Sequence, residues 1–246
     1  MSGGEQEPTR GHGRDSPVVG VALVVGLFGV AFVCGTLVVR ALASGLGAGD
    51  PGTFSRLLVS IAGLQVVGFG GVTVLYLRIR PVDWRSSLRL GGVSEMTAFY
   101  GAAVGLALMI VTVLATGVFH LFDIEPAESP VAVAEEPLFY VGLFVLSTFV
   151  AVPLEEVFFR GILQRRLEEQ FHTALAIGVA SVLFVLIHTG VSVGSGGGLI
   201  VFGLYLAFGV VLGTSYYLTK NLFVPIIGHA IFNGVQILLR AIEVAL

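Results

Sequence analysis

The sequence predicts an all-α fold, a polytopic transmembrane helical bundle of about seven helices. Of the 246 residues, 55% are hydrophobic and only 12% are charged, which is about half the charged fraction of an ordinary soluble domain. The apolar residues form runs that approach or exceed the roughly 18 residues needed to cross a bilayer. Because backbone polar groups must be satisfied internally in lipid, such runs are expected to be helical. The chain is therefore predicted to be an integral membrane protein.

The hydrophobic runs give the order of the helices. Residues 1–16 are polar, cannot bury a core and are expected to form a disordered cytoplasmic tail. Residues 17–246 are expected to form a single transmembrane domain. The seven predicted helices are Val18–Val39, Leu57–Leu77, Thr97–His120, Leu138–Val152 with the charged residues that follow it, Thr173–His188, Leu199–Leu218 and Leu222–Leu246.

The charges in the loops predict the orientation in the membrane. The connection between the second and third runs is basic, with Arg78, Arg80, Arg85 and Arg89 against Asp83 and Glu95. The next connection is acidic, with Asp123, Glu125, Glu128, Glu135 and Glu136. By the positive-inside rule the basic loop is cytoplasmic. The N-terminus is then cytoplasmic and the C-terminus outside, in a multi-pass protein of the plasma membrane. No basic cluster suggests nucleic acid, so the expected surroundings are membrane lipid.

The fourth apolar run is followed by three charged residues, Glu155, Glu156 and Arg160. A carboxylate at bilayer depth costs about 2.5–3.5 kcal/mol on insertion scales, so adjacent glutamates require a reason. Glu156 and Arg160 are four residues apart on one helix face, so the guanidinium can offset the second carboxylate. Glu155 points about 100° away around the helix. Its partner is therefore expected on another helix.

Two later helices carry polar residues at helical spacing, and their histidines are the candidate partners of Glu155. Phe184 and His188 share one face of the fifth helix, and His229 and Asn233 share one face of the last. If the chain turns near Phe171, the glutamates and His188 lie about equally far from that turn in an antiparallel hairpin. The sequence permits one polar cluster in the cytoplasmic half of the membrane.

Such a cluster can activate a water molecule. A desolvated carboxylate can act as a general base, and an imidazole can help to hold the same water or a metal ion. A second histidine and a carboxamide can donate hydrogen bonds to a developing oxyanion. These are the groups needed to hydrolyse an amide bond.

The three motifs, in this order on three membrane helices, resemble the CPBP family of intramembrane proteases. They are EExxxR at Glu155–Arg160, FxxxH at Phe184–His188 and HxxxN at His229–Asn233. The family includes type II CAAX prenyl endopeptidases and the Abi proteins. The resemblance covers the predicted catalytic part, residues 138–246.

The resemblance implies an intramembrane endopeptidase acting on a membrane-associated or prenylated, CAAX-type substrate. It implies that Glu155 and His188 activate the attacking water and that His229 and Asn233 stabilise the oxyanion. Glu156 belongs to the same catalytic set, supported by Arg160 and Phe184. Zinc, held by Glu155, His188 and His229, is a candidate cofactor, and the motifs leave open whether the enzyme is a metalloendopeptidase or a glutamate-type protease.

Other readings of the sequence stay open. The protein could be a non-proteolytic membrane scaffold or binding protein of the same fold, although a scaffold has no need of a general base. A transporter could use buried charges as a proton relay, but here the charges crowd into the second half of the chain. A rhomboid-like serine protease could use Ser192 or Ser195 with His229, which would leave the glutamates without a role.

Overall fold

The computed structural model describes residues 16–46, 52–80, 83–124, 137–189 and 198–246. The described residues form seven apolar helices and one short helix. These are α1 (Pro17–Gly45), α2 (Gly52–Ile79), α3 (Trp84–Ser87), α4 (Glu95–Leu121), α5 (from Pro137 to Glu168), α6 (Thr173–Thr189), α7 (Gly198–Thr219) and α8 (Phe223–Ala245). The predicted all-α helical bundle is confirmed. Most of the predicted tail and of the acidic connection lies outside the described residues.

Six of these helices are long and apolar enough to cross a membrane, and α6 is shorter, with 17 residues. In each of the six, only 17–39% of the most apolar window is buried inside the bundle. The remaining surface carries large apolar side chains such as Leu75, Val113 and Phe149, which are more than half exposed. Because lipid is the solvent that suits such a surface, the chain is an integral multi-pass membrane protein.

The apolar core connects all seven long helices. Its buried cluster contains Val24, Phe69, Leu108, Phe158, Phe184, Phe208 and Phe232, one from each of them. Glycines allow the closest contacts: a Cβ on Gly63 of α2 would lie 2.8 Å from the carbonyl oxygen of Gly35 on α1. A Cβ on Gly228 of α8 would lie 2.9 Å from the carbonyl oxygen of Gly101 on α4. Small residues at such crossings are the usual way for membrane helices to approach each other.

Helix α5 is continuous but irregular around the two adjacent glutamates. Pro153 has no N–H to donate, and its ring crowds the carbonyl four residues earlier. That residue, Phe149, lies in a π-helical segment, Ser147–Ala151. A second π-helical segment, Val157–Gln164, follows the α-helical turn Val152–Glu156. The glutamates therefore lie between two widened turns, a local geometry that is frequent at functional sites.

Three connections meet at one end of the bundle. Arg89, before α4, forms an ion pair of 2.8 Å with Glu168 at the end of α5. The backbone N–H of Leu222, between α7 and α8, donates to the carbonyl oxygen of Arg89 at 3.0 Å. The α5–α6 turn covers residues 169–172, close to the turn expected at Phe171. The connections that were predicted to be cytoplasmic thus lie on the same side of the bundle.

Candidate active site

Glu156 is the most buried carboxylate of the site, with 0% of its surface exposed. Its Oε1 lies 2.8 Å from Nδ1 of His229 on α8. Its Oε2 lies 3.3 Å from Nε of Arg160, one turn further along α5. The predicted Glu156–Arg160 contact is confirmed, and Oε1 of Glu156 joins α5 to α8.

Arg160 is buried to 1% exposure and is held from three directions. Besides Glu156, its Nη2 donates to the carbonyl oxygen of Gly209 on α7 at 3.3 Å. Its guanidinium carbon lies 4.6 Å from the centre of the Phe184 ring on α6, within the range of a cation–π contact. A buried ion pair is tolerated only when such further contacts compensate the loss of water. Arg160 therefore ties α5 to both α6 and α7 while it balances the charge of Glu156.

Glu155 is also buried, at 6% exposure, but it has different partners. Its Oε1 accepts a hydrogen bond of 3.1 Å from Nε2 of Gln65 on α2. Among the described residues, no ion pair includes Glu155. Glu155 is thus a buried carboxylate held by a neutral donor.

His188 is oriented by its own helix and by two aromatic rings. Its Nδ1 lies 2.9 Å from the carbonyl oxygen of Phe184. Because a carbonyl only accepts hydrogen bonds, Nδ1 carries the proton, and Nε2 of the neutral ring has a free lone pair. The imidazole stacks on Tyr205, with centroids 4.8 Å apart, and lies 4.2 Å from the Phe184 ring. The nitrogen left for chemistry is Nε2.

His229 and Asn233 lie one turn apart on α8 and contact different parts of α5. With Nδ1 of His229 bonded to Glu156, the remaining nitrogen is Nε2, which donates a hydrogen bond only when the ring is protonated. Nδ2 of Asn233 donates to Oγ of Ser147 at 3.1 Å. A carboxamide nitrogen has two hydrogens, so one of them is left for another acceptor.

The structure thus brings the predicted residues of three helices together, with one difference in pairing. The partner of Glu155 does come from another helix, as predicted, but the hydrogen-bond donor is Gln65 rather than a histidine. Three residues of the site, Gln65, Ser147 and Tyr205, were not predicted from the sequence. Gln65 could have been recognised from the sequence as a candidate site residue, because it is the one carboxamide in the apolar run Leu57–Leu77.

The metal prediction has less geometric support. Within the described ranges, no group of three or more His, Cys, Asp or Glu side chains is placed to hold a metal ion. Each of the three predicted ligands keeps an atom for an ion, since the hydrogen bonds to Phe184, Glu156 and Gln65 use only Nδ1 of His188, Nδ1 of His229 and Oε1 of Glu155. It is their placement that does not form a metal site among the described residues.

The alternative nucleophiles Ser192 and Ser195 lie outside the described residues. Away from the cluster, Arg240 and Glu243 form a local ion pair near the C-terminus, at 2.6 Å.

Comparison with known proteins gives a match to a family model. Residues 137–235 match the family model described as Type II CAAX prenyl endopeptidase Rce1-like. The matched segment contains Glu155, Glu156, His188, His229 and Asn233, whereas Gln65 lies outside it. Neither a curated protein nor a solved structure gives a significant match.

Proposed function

We propose that the chain is an intramembrane protease of the CAAX type (CPBP), the family whose model matches residues 137–235, and that it hydrolyses a peptide bond by a water molecule that Glu155 and His188 activate. The proposal rests on the burial and the partners of the Glu155 side chain. It is a buried carboxylate without an ion-pair partner among the described residues, and the neighbouring helix α6 carries an imidazole whose Nε2 is available. A general base needs this combination of a reactive oxygen and a second group to orient the water.

In the first step, a free oxygen of Glu155 takes a proton from water as the water oxygen bonds to the carbonyl carbon of the substrate. The lone pair of His188 Nε2 accepts a hydrogen bond from the same water and orients it. The carbonyl π electrons move to the carbonyl oxygen and form a tetrahedral oxyanion. General-base catalysis of this kind typically contributes about 100- to 10,000-fold to a rate.

The oxyanion is stabilised from α8. Asn233 donates the second hydrogen of its carboxamide, and protonated His229 donates from Nε2. In the second step the C–N bond breaks, the carbonyl re-forms, and the proton held by Glu155 passes to the leaving amine. Glu156 and Arg160 supply no atom to the reaction. Their role is to hold His229 and the Phe184 end of α6 in place.

Zinc bound by Glu155, His188 and His229 stays a prediction, and no step above requires it. Were it bound, the ion would polarise the substrate carbonyl and lower the cost of forming hydroxide. The metalloprotease and glutamate-type versions of the reaction use the same side chains, so they are distinguished by experiment rather than by residue identity.

We assign the reaction to the plasma membrane, on a membrane-associated peptide or protein substrate that includes the prenylated CAAX type. The family match and the burial of the site among membrane helices support this substrate class. By the positive-inside rule, the end of the bundle that carries Arg80, Arg85 and Arg89 faces the cytoplasm. The site is then reached from the cytoplasmic half of the membrane.

The test is cleavage of reporter peptides by the purified protein in detergent, with prenylated and unprenylated C-terminal peptides and a transmembrane peptide. Glu155→Gln and His188→Ala are expected to abolish cleavage. Glu95→Gln and His120→Ala, which change exposed residues of α4, are the matched controls and should cleave normally. A parallel arm with a zinc chelator reports metal dependence. Cleavage that survives both site substitutions would overturn the mechanism and favour Ser192 or Ser195, and a wild-type protein inactive on every peptide would favour the scaffold.

A further inference from the structure

Gln65 lies on α2, 90 residues from its hydrogen-bond partner Glu155 and outside the segment that matches the protease family. It occupies the middle of a π-helical segment, Ile61–Gly71, that is otherwise made of apolar residues and glycine. A carboxamide in such a segment is costly in lipid unless its polar atoms find partners. Its place in the helix therefore requires an explanation.

The contact with Glu155 fixes the orientation of the Gln65 amide. A carboxylate can only accept hydrogen bonds, so the nitrogen faces Glu155 and the amide oxygen faces away. That oxygen, Oε1, is buried and has no hydrogen-bond partner among the described residues. An unpaired buried acceptor opposes stability. Fold stability alone would be served better by an apolar side chain at this position.

The backbone of Gln65 is held from both sides. Toward α1, the segment packs against Gly35, whose hypothetical Cβ would lie 2.9 Å from Cα of Leu64. Toward α5, the Phe69 ring stacks on Phe158 with centroids 4.9 Å apart. The segment of α2 that carries Gln65 is therefore packed against two neighbouring helices, so the Gln65 side chain contacts Glu155 from a fixed backbone.

We propose that Gln65 is a positioning residue for the proteolytic reaction: it holds Oε1 of Glu155 so that Oε2 is the oxygen that takes the proton of the attacking water. This inference rests on the proposed function, in which Glu155 is the general base. It adds α2, a helix outside the matched residues 137–235, to the proposed catalytic machinery. Without the hydrogen bond, the carboxylate can rotate about its side-chain torsions and spends less time in the reactive orientation.

The experiment compares Gln65→Met with wild type in the peptide-cleavage assay. Methionine keeps the length and unbranched shape of glutamine while removing its donor. The expected result is a fall in kcat of about 10- to 100-fold, as found for residues that orient a reacting or ligating group, with KM unchanged because Gln65 does not contact the substrate. Thr73→Val is the matched control, since Thr73 is another polar residue of α2, buried to 6% exposure with an unpaired Oγ1. It should leave kcat unchanged.

Thermal unfolding of Gln65→Met, Glu155→Gln and the double variant then tests whether the two side chains act on each other. Coupled residues are expected to give non-additive shifts of the unfolding midpoint. A wild-type kcat in Gln65→Met, or a reduced kcat that Thr73→Val reproduces, would overturn the positioning role. Glu155→Gln, assayed in parallel, separates the two proposals: if it still cleaves, the proposed mechanism fails, whereas if it is inactive and Gln65→Met is fully active, only the role of Gln65 fails.

Discussion

Nδ1 of His229 lies 2.8 Å from Oε1 of Glu156, although 73 residues separate the two in the sequence. The same carboxylate accepts a hydrogen bond of 3.4 Å from Nη1 of Arg160 on Oε1, and its other oxygen lies 3.3 Å from Nε of Arg160. One glutamate thus fixes both a residue of the predicted oxyanion site and the arginine that contacts α6 and α7. Glu155, its neighbour in sequence, is left outside this ion-pair network. The two adjacent glutamates therefore have different surroundings. Those of Glu156 suit a structural role, and those of Glu155 suit a role in the reaction.

Arg160→Met is expected to destabilise the protein by about 3–5 kcal/mol, because it leaves the Glu156 carboxylate buried without its counter-charge. The measurement is the midpoint of thermal unfolding in detergent. Adding Glu156→Leu should recover part of the loss, since replacing both charges by apolar groups is often close to neutral.

The control for this ion pair is Glu243→Gln. It removes the carboxylate of an exposed pair with Arg240, in which the Glu243 side chain is 68% exposed. Exposed pairs contribute about 0–1 kcal/mol, so its midpoint should change little. An Arg160→Met protein as stable as this control would contradict the buried ion pair.

Asn233→Ala is expected to lower kcat by about 100- to 1,000-fold, the usual loss when one oxyanion donor is removed. Ser147→Ala should have a smaller effect, because it removes only the acceptor that orients the Asn233 carboxamide. Gln236→Ala removes an exposed carboxamide from the same helix and serves as the control. Steady-state cleavage of the reporter peptide gives kcat and KM for each variant. Wild-type kcat in Asn233→Ala would remove Asn233 from the mechanism.

The orientation can be tested with cysteine labelling, because Cys34 is the single cysteine of the chain. In a Cys34→Ser background, Ser86→Cys marks the basic connection and Leu246→Cys marks the C-terminus. A maleimide that cannot cross membranes is expected to label Leu246→Cys on intact cells, and Ser86→Cys only after permeabilisation. The reverse pattern would place the basic connection outside.

The helices could be predicted closely from the sequence because lipid imposes a simple rule on each of them. Uninterrupted apolar runs must be helical, and Thr173–His188 was predicted to within one residue of α6. The pairing of Glu156 with Arg160 was also predictable, since spacing along one helix determines it.

The contacts between helices that are distant in sequence were not predictable from the spacing of residues along each helix. The bond from Gln65 to Glu155 depends on how α2 is rotated against α5, and the sequence pattern of α2 does not determine that rotation. The π-helical turns around the glutamates change the direction of each side chain relative to a regular helix. For the same reason, the sequence suggested a histidine partner for Glu155, whereas His229 pairs with Glu156 in the structure.

The approach of α6 to α7 at Gly209 leads to the last prediction. A Cβ on Gly209 would lie 2.7 Å from Cβ and 2.9 Å from Cα of Ser181, so alanine would force the two helices apart. The carbonyl of Gly209 also accepts a hydrogen bond from Arg160, and α6 carries His188. Gly209→Ala is therefore expected to destabilise the protein by about 1–3 kcal/mol, the usual cost of overpacking, and to reduce kcat through His188.

Gly203→Ala is the matched control for Gly209→Ala. It lies on the same helix, and a Cβ there would meet no atom within 4 Å. Because alanine is the better helix former, this control should be neutral or more stable by up to about 1 kcal/mol. Thermal unfolding and reporter cleavage of the two variants provide the comparison. Gly209→Ala could instead unfold and cleave like Gly203→Ala. In that case α6 and α7 are not packed as closely as the 2.9 Å between a Cβ on Gly209 and Cα of Ser181 implies. The only support of His188 by α7 would then be the stacking of its ring on Tyr205.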